Sequence, residues 1–103
     1  TVHQVQINLY RIMQEQMKNI VKYAEAKKIE ISVTRTNGTI SLRVFDNGKG
    51  FDVKTAKNGI GLSNIKKRVD SLSGKFILNS SPGKGCEILV EIPVNEVSLS
   101  RTG

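Results

Sequence analysis

The residues Thr39-Ile40-Ser41-Leu42-Arg43-Val44-Phe45-Asp46 run directly into Asn47-Gly48-Lys49-Gly50-Phe51-Asp52. The first eight alternate in polarity, which predicts a strand with Ile40, Leu42, Val44 and Asp46 on one face. Three of those four are apolar, so Asp46 points where a core residue belongs. A carboxylate aimed into an apolar layer is costly unless hydrogen-bond donors meet it. Immediately after Asp46 the strand pattern ends and the chain turns glycine-rich.

The flanking sequence supplies the partners of that strand. Lys28 to Arg35 alternates with Ile29, Ile31 and Val33 on one face, and Asn37-Gly38 is a strong two-residue hairpin signal. The two strands are therefore predicted antiparallel, each with one buried face. Upstream, about Ile7 to Ala26 reads as a helix with Leu9, Tyr10, Met13, Met17, Ile20, Val21 and Ala24 in one stripe. Downstream, Asn47 to Asn58 lacks periodicity and reads as loop.

A second helix runs from about Gly61 to Ser73, with Leu62, Ile65, Val69 and Leu72 on one side. Gly74 is its expected left-handed stop. Two strands follow, Lys75 to Asn79 and Cys86 to Ile92, joined by Ser80-Ser81-Pro82-Gly83-Lys84-Gly85. In the last strand Cys86, Ile88, Val90 and Ile92 share a face, while Glu87 and Glu91 point away. The expected fold is α+β: a two-layer sandwich whose mixed, mostly antiparallel sheet is covered on one face by helices. Residues 1–6 read as a linker from an upstream region, 7–93 as the domain and 94–103 as a C-terminal tail.

Composition narrows the class. The chain has 103 residues, 38% hydrophobic, enough for one modest core. It contains no apolar run that approaches a membrane span and no secretory pattern. Its single cysteine, Cys86, cannot close an internal disulfide, which fits a reducing, cytoplasmic setting. The absence of a starting Met suggests a piece of a larger protein, in which any membrane anchor would lie elsewhere. Sixteen basic against nine acidic residues give a net charge of +7, which favours a polyanionic partner. The basic residues are scattered, apart from Lys27-Lys28 and Lys66-Lys67-Arg68, and few aromatics lie among them. A stacking platform for nucleic acid is thus poorly supported, and a solvated basic surface covers most of these residues.

Four short patterns can carry chemistry. On the first helix Glu15 and Asn19 lie one turn apart, with Lys22 following. A carboxylate can hold a proton, an amide oxygen can ligate Mg²⁺, and a lysine can offset phosphate charge. Taken alone, such a triplet is more often just an exposed helix face. Asp46-Asn47-Gly48-Lys49-Gly50 is ordinary turn chemistry on its own, yet Asp46 falls on the apolar face. The functional reading is an adenine clamp: Asp46 accepts from the exocyclic amine, and Gly48 and Gly50 let the base approach the backbone. Guanine, with a carbonyl at that position, should be rejected. Gly59-Ile60-Gly61-Leu62, just before a helix, gives backbone N–H groups room to meet phosphate. It is neither a dinucleotide fingerprint nor a P-loop. Gly83-Lys84-Gly85 reads as a hairpin turn.

Each pattern is weak alone, but their order and separation are specific. Leu9 to Ala24, with Glu15 and Asn19, resembles the asparagine box of sensor histidine kinases. Asp46 to Phe51 resembles their first glycine box, and Gly59 to Ile65 with Arg68 their second. The chain thus looks like the ATP-binding catalytic domain of a sensor histidine kinase. It is closest to the nitrate-sensor-like and thermosensor-like subfamily of the Bergerat-fold ATPases. The resemblance spans roughly Ile7 to Pro93. It implies ATP and Mg²⁺ as ligands, Glu15 at the acid/base position, Asn19 on Mg²⁺ and Asp46 on adenine. It also implies Lys22 and Tyr23 by the phosphates, with Gly59, Gly61 and Leu62 closing the site. Tyr23 stands where this subfamily often has His, and Cys86 where Thr often follows the turn. Only eight residues separate Gly50 from Gly59, so the lid over ATP must be short.

By the same resemblance, the γ-phosphoryl would pass to a histidine on an upstream dimerisation domain and then to a response regulator. His3, the only histidine, is followed by Gln4 rather than an acid and reads as a linker residue. This stretch is therefore expected to bind Mg-ATP without phosphorylating itself. Two alternatives share the fold: an anti-sigma-factor-type serine kinase and a non-catalytic nucleotide-binding interaction module. A nucleic-acid binder ranks last.

Overall fold

A computed structural model describes residues 2–52 and 62–94; for Val2 and Tyr23 only the backbone is described. Helix α1 spans Val2–Asn19 and continues into a π-helical turn, Ile20–Ala24, which ends at Glu25 in the left-handed conformation (φ 52°). Strands β1 (Ile29–Thr36) and β2 (Thr39–Asp46) follow, then α2 (Leu62–Ser71), β3 (Lys75–Ser80) and β4 (Cys86–Pro93). The sheet order is β1-β2-β4-β3, and all three pairings are antiparallel. Helix α1 packs on β2 and on α2, and α2 reaches β3. This is the expected α+β two-layer arrangement, with the sheet antiparallel throughout the described residues rather than mixed.

The β1–β2 hairpin is closed by Asn37-Gly38, with Thr36 opposite Thr39. Both loop residues have positive φ (51° and 76°), the requirement of a type I′ turn and the reason for the Asn-Gly choice. This register delivers Ile40, Leu42, Val44 and Asp46 to the helix-covered face at 4%, 1%, 0% and 1% exposure. Cys86, Ile88, Val90 and Ile92 of β4 are buried beside them. Ile65 and Val69 of α2 close the layer, and Leu62 and Leu72 pack at its margin. Each fully buried aliphatic side chain contributes roughly 1.5–3 kcal/mol, so the β2–β4 centre is the main source of stability.

Three expectations are corrected. First, α1 begins at Val2, so residues 2–6 extend the helix rather than forming a linker. Val5 sits one turn before Leu9 and joins the core, which gives that turn something to bury. His3 is exposed on this turn. Second, the buried face of α1 is rotated from the expected stripe. Val5, Leu9, Ile12, Gln16 and Ile20 are buried, Met13 and Met17 lie at the margin, and Tyr10 and Val21 are exposed. Third, Ile29, Ile31 and Val33 share the expected face of β1, but all three are exposed. Their strand is the sheet edge, and α1 lies over β2 rather than β1.

The end of α2 differs in detail from expectation. Ser73, not Gly74, takes the left-handed position (φ 58°). Gly74 N–H donates to Val69 O (3.0 Å) and Ser73 N–H to Asp70 O (3.0 Å), a Schellman-type closure. Gly74 is needed for another reason: a Cβ there would come within 2.8 Å of the Glu91 carbonyl and 3.0 Å of Ile92 and Val69. At the other end of the chain, Val94 is buried and donates its N–H to Gly38 O (2.6 Å). The expected tail therefore begins on the hairpin turn, and residues 95–103 lie outside the described residues.

Candidate functional site

The loop after β2 ties three distant segments together. Asp46 Oδ1 accepts from Gly48 N–H (2.8 Å), so the buried carboxylate folds back on its own loop. Asn47 Oδ1 accepts from Lys27 N–H (2.9 Å) and Lys28 N–H (2.8 Å), and Asn47 N–H donates to Lys28 O (3.1 Å). Lys49 N–H donates to Ala24 O (2.8 Å), which holds the loop against the end of the π-helical turn. On the other side, Gly83 N–H donates to Lys49 O (2.6 Å) and Phe51 N–H to Ser80 Oγ (3.0 Å). Ser80 Oγ in turn donates to Gly85 O (2.7 Å).

Close backbone crossing explains three of the glycines. A Cβ on Gly48 would collide with the Ala24 carbonyl, and one on Gly50 (φ 63°) with the carbonyls of Ser81 and Gly85. A Cβ on Gly85 (φ 75°) would collide with the Asp46 carbonyl. The directions in which side chains would grow from Gly48 and Gly50 are thus filled by protein backbone. These residues shape the rim around Asp46 by letting the helix end and the β3–β4 turn close on it. Gly85 belongs to the same device, although its sequence context indicates only a turn.

A polar row leads from Asp46 to the first helix. Cys86 stands directly opposite Asp46 in the β2–β4 register. Gln16, 2% exposed, donates from Nε2 to Cys86 Sγ (3.7 Å), and its Oε1 accepts from Asn19 Nδ2 (3.1 Å). Burial, and then the neighbouring Asp46 charge, push the Cys86 thiol up to about 11. At neutral pH it is a protonated packing residue rather than a nucleophile. Gln16 is the residue that pattern reading misses, because a polar side chain inside a helical stripe signals a face boundary and not a buried link.

Glu15 lies half-buried and lines a cleft of about 350 Å³ between α1 and α2, opposite Asn64, Lys67 and Arg68. Arg68 Nη1 donates to Asn8 Oδ1 (3.2 Å) and so pins α2 to α1 beside it. Lys22 is exposed on the π-helical turn, and Leu62 opens α2. The structure therefore brings Asn19, Asp46, Gly48 and Gly50 into one connected region, with Glu15 one turn upstream of Asn19. Gly59, Gly61 and most of the expected short lid lie outside the described residues, as does the side chain of Tyr23.

The opposite face of the sheet carries a separate charge cluster. Arg43 Nε donates to Glu87 Oε2 (2.6 Å) and Nη1 to Glu30 Oε1 (3.1 Å), with its guanidinium 5.1 Å from the centre of the Phe45 ring. The Arg43 hydrogen bond, aided by Asn79, holds the Glu87 carboxyl below its ordinary value, and Lys28 with Arg43 does the same for Glu30. These residues alternate with the core row of β2 and face away from Asp46.

Comparison with known proteins identifies the family and the fold. DegS of Bacillus subtilis (strain 168), a signal transduction histidine-protein kinase/phosphatase, is 36% identical over 96 residues, covering 89% of this chain and 25% of DegS. The sensor histidine kinase YdfH of the same organism is 42% identical over 91 residues, covering 84% of this chain and 22% of its own length. The chain thus spans about a quarter of the length of each of these two relatives. Among solved structures, the histidine kinase domain of the blue-light activated histidine kinase of Erythrobacter litoralis EL346 superposes with a TM-score of 0.74. Its identity is 15%, over 86% of this chain and 44% of that one. The histidine kinase AdeS of Acinetobacter baumannii gives 0.72 at 20% identity, over 85% of this chain and 46% of that one. Residues 4–96, nearly the whole chain, match one family along their length. This chain belongs to the histidine kinase-, DNA gyrase B- and HSP90-like ATPase family.

Proposed function

We infer that this chain is the ATP-binding catalytic domain of a sensor histidine kinase, with the nucleotide seated over Asp46. The observation that carries the reading is the buried Asp46 carboxylate at the end of an otherwise apolar row, with Oδ1 held by Gly48 N–H. Its second oxygen would accept from the exocyclic amine of adenine. Guanine offers a carbonyl there and would leave a buried acceptor unpaired. That the curated relatives are named histidine kinases supports the same reading.

The donor set fits Mg²⁺ bound jointly with nucleotide phosphates. Among the described residues no group of three His, Cys, Asp or Glu side chains could hold a metal by itself. Mg²⁺ in phosphate sites takes only one or two protein oxygens and fills its shell with phosphate and water. Asn19 Nδ2 is committed to Gln16, so the amide oxygen is the atom Asn19 has to offer. Bound there, Mg²⁺ would offset phosphate charge. Lys22 and Tyr23 would flank the phosphates, Gly59 to Leu62 would close over them, and Glu15 would take the proton of the attacking group.

The phosphoryl acceptor would be a histidine on an upstream dimerisation domain, with a response regulator next in line. The exposed His3 on the first turn of α1 is not that acceptor. The test is phosphoryl transfer from labelled ATP by a chain extended upstream through that domain. Acid-labile label that needs the upstream histidine is the expected result. Acid-stable label on a partner protein would assign a serine kinase. ATP binding without transfer would assign a non-catalytic module. No helix among the described residues is long and apolar enough to cross a membrane, and a cytoplasmic setting is part of this reading.

A further inference from the structure

Gln16 is a buried polar residue on a helix face otherwise made of Val5, Leu9, Ile12 and Ile20. An aliphatic side chain would pack there without the cost of burying an amide. Its two ends are both engaged: Nε2 on Cys86 Sγ, from the strand opposite Asp46, and Oε1 on Asn19 Nδ2. An asparagine amide has one donor end and one acceptor end. When the donor end is committed, the oxygen is the end that remains, and oxygen is what a hard cation requires.

We propose that Gln16 is a positioning residue for the Mg²⁺-nucleotide site, anchored on Cys86 and holding the Asn19 amide with its oxygen free for the metal. The proposal rests on the reading of Asn19 as a Mg²⁺ ligand given above. Without Gln16 the Asn19 amide turns freely about its last torsion and presents its NH₂ group as readily as its oxygen. Removing the partner that orients a metal ligand typically costs about 10- to 100-fold in metal affinity.

The test is calorimetric titration of the chain with ATP, once with Mg²⁺ and once with chelator, for the wild type, Asn19→Ala, Gln16→Leu and Gln16→Glu. Gln16→Leu should lose about tenfold of the affinity gained from Mg²⁺ and keep its affinity in chelator. Gln16→Glu retains an acceptor for Asn19 Nδ2 and should recover most of the loss. In the Asn19→Ala background Gln16→Leu should add nothing. A full Mg²⁺ gain in Gln16→Leu, with that gain absent in Asn19→Ala, would reduce Gln16 to packing. A full gain in Asn19→Ala would instead overturn the metal role of Asn19, and the proposal with it. The free wild-type chain gives a readout independent of variants. The Asn19 side-chain amide protons should exchange with water more slowly than those of the exposed Asn64, and equal rates would overturn the proposal.

Discussion

Gly48 N–H donates to Asp46 Oδ1 across 2.8 Å, and Asp46 is 1% exposed. One bond from the following loop thus holds a buried carboxylate in place, and in the proposed site its second oxygen would meet the adenine amine. Asp46→Asn keeps an oxygen for Gly48 but puts an NH₂ group where the second carboxylate oxygen stood. Donor would then face donor at the adenine amine. Mismatched buried groups cost about 1–3 kcal/mol, so ATP affinity should drop roughly 5- to 150-fold with the melting temperature little changed. Titration and thermal unfolding of the same variant check both halves.

The β3–β4 turn contains two left-handed glycines with different surroundings. Gly83 (φ 78°) has open space beyond its Cα, whereas a Cβ on Gly85 would strike the Asp46 carbonyl. Gly83→Ala should cost only the left-handed penalty of about 1–2 kcal/mol. Gly85→Ala adds the clash, so it should melt several degrees lower than Gly83→Ala and bind ATP more weakly. Equal melting temperatures would contradict the described crossing of the turn over Asp46.

Val33 and Val44 occupy adjacent strands and share a face of the sheet, at 59% and 0% exposure. A valine-to-threonine change places a hydroxyl in each environment. At Val44 it should cost about 1–3 kcal/mol for burying an unmatched hydroxyl. At Val33 it should stay within about 0.5 kcal/mol. Chemical denaturation of both variants is the check, and a large loss at Val33 would mean that something covers β1 in the free chain.

Arg43 lowers the Glu87 carboxyl from its ordinary value of 4.5, and Lys28 together with Arg43 lowers that of Glu30. A carboxylate depressed in the folded state contributes stability that is present above about pH 4.5 and lost as pH falls through the folded value. Arg43→Met should therefore flatten the acid limb of the stability curve below pH 4.5. The Cys86 thiol runs the other way, raised from 9.0 to about 11. Its contribution is complete below pH 9 and is lost as pH rises toward 11. Iodoacetamide should accordingly modify Cys86 far more slowly in the folded chain at pH 8 than in denaturant.

Much of the fold was legible from local pattern. The period of β2 put Asp46 on the core face, and Asn37-Gly38 set the hairpin that fixes its register. What was not legible depended on distant parts of the chain. Alternation in β1 named the face of Ile29, Ile31 and Val33 but not whether a helix covers it, which the strand order decides. The rotation of α1 is not legible locally, because Tyr10 and Val21 extend an apolar stripe while the buried Gln16 interrupts the true one. Only the position of Cys86, seventy residues on, explains Gln16. Gly48, Gly50 and Gly85 stood out as glycines, but their common cause is the meeting of three backbone segments at Asp46.

The most direct test of the central claim is titration of the wild-type chain and Asp46→Asn with ATP and GTP under one Mg²⁺ concentration. Wild type should bind ATP and not GTP, and the variant should lose that preference. Equal binding of ATP and GTP by the wild type, or undiminished ATP affinity in Asp46→Asn, would contradict the placement of adenine on Asp46.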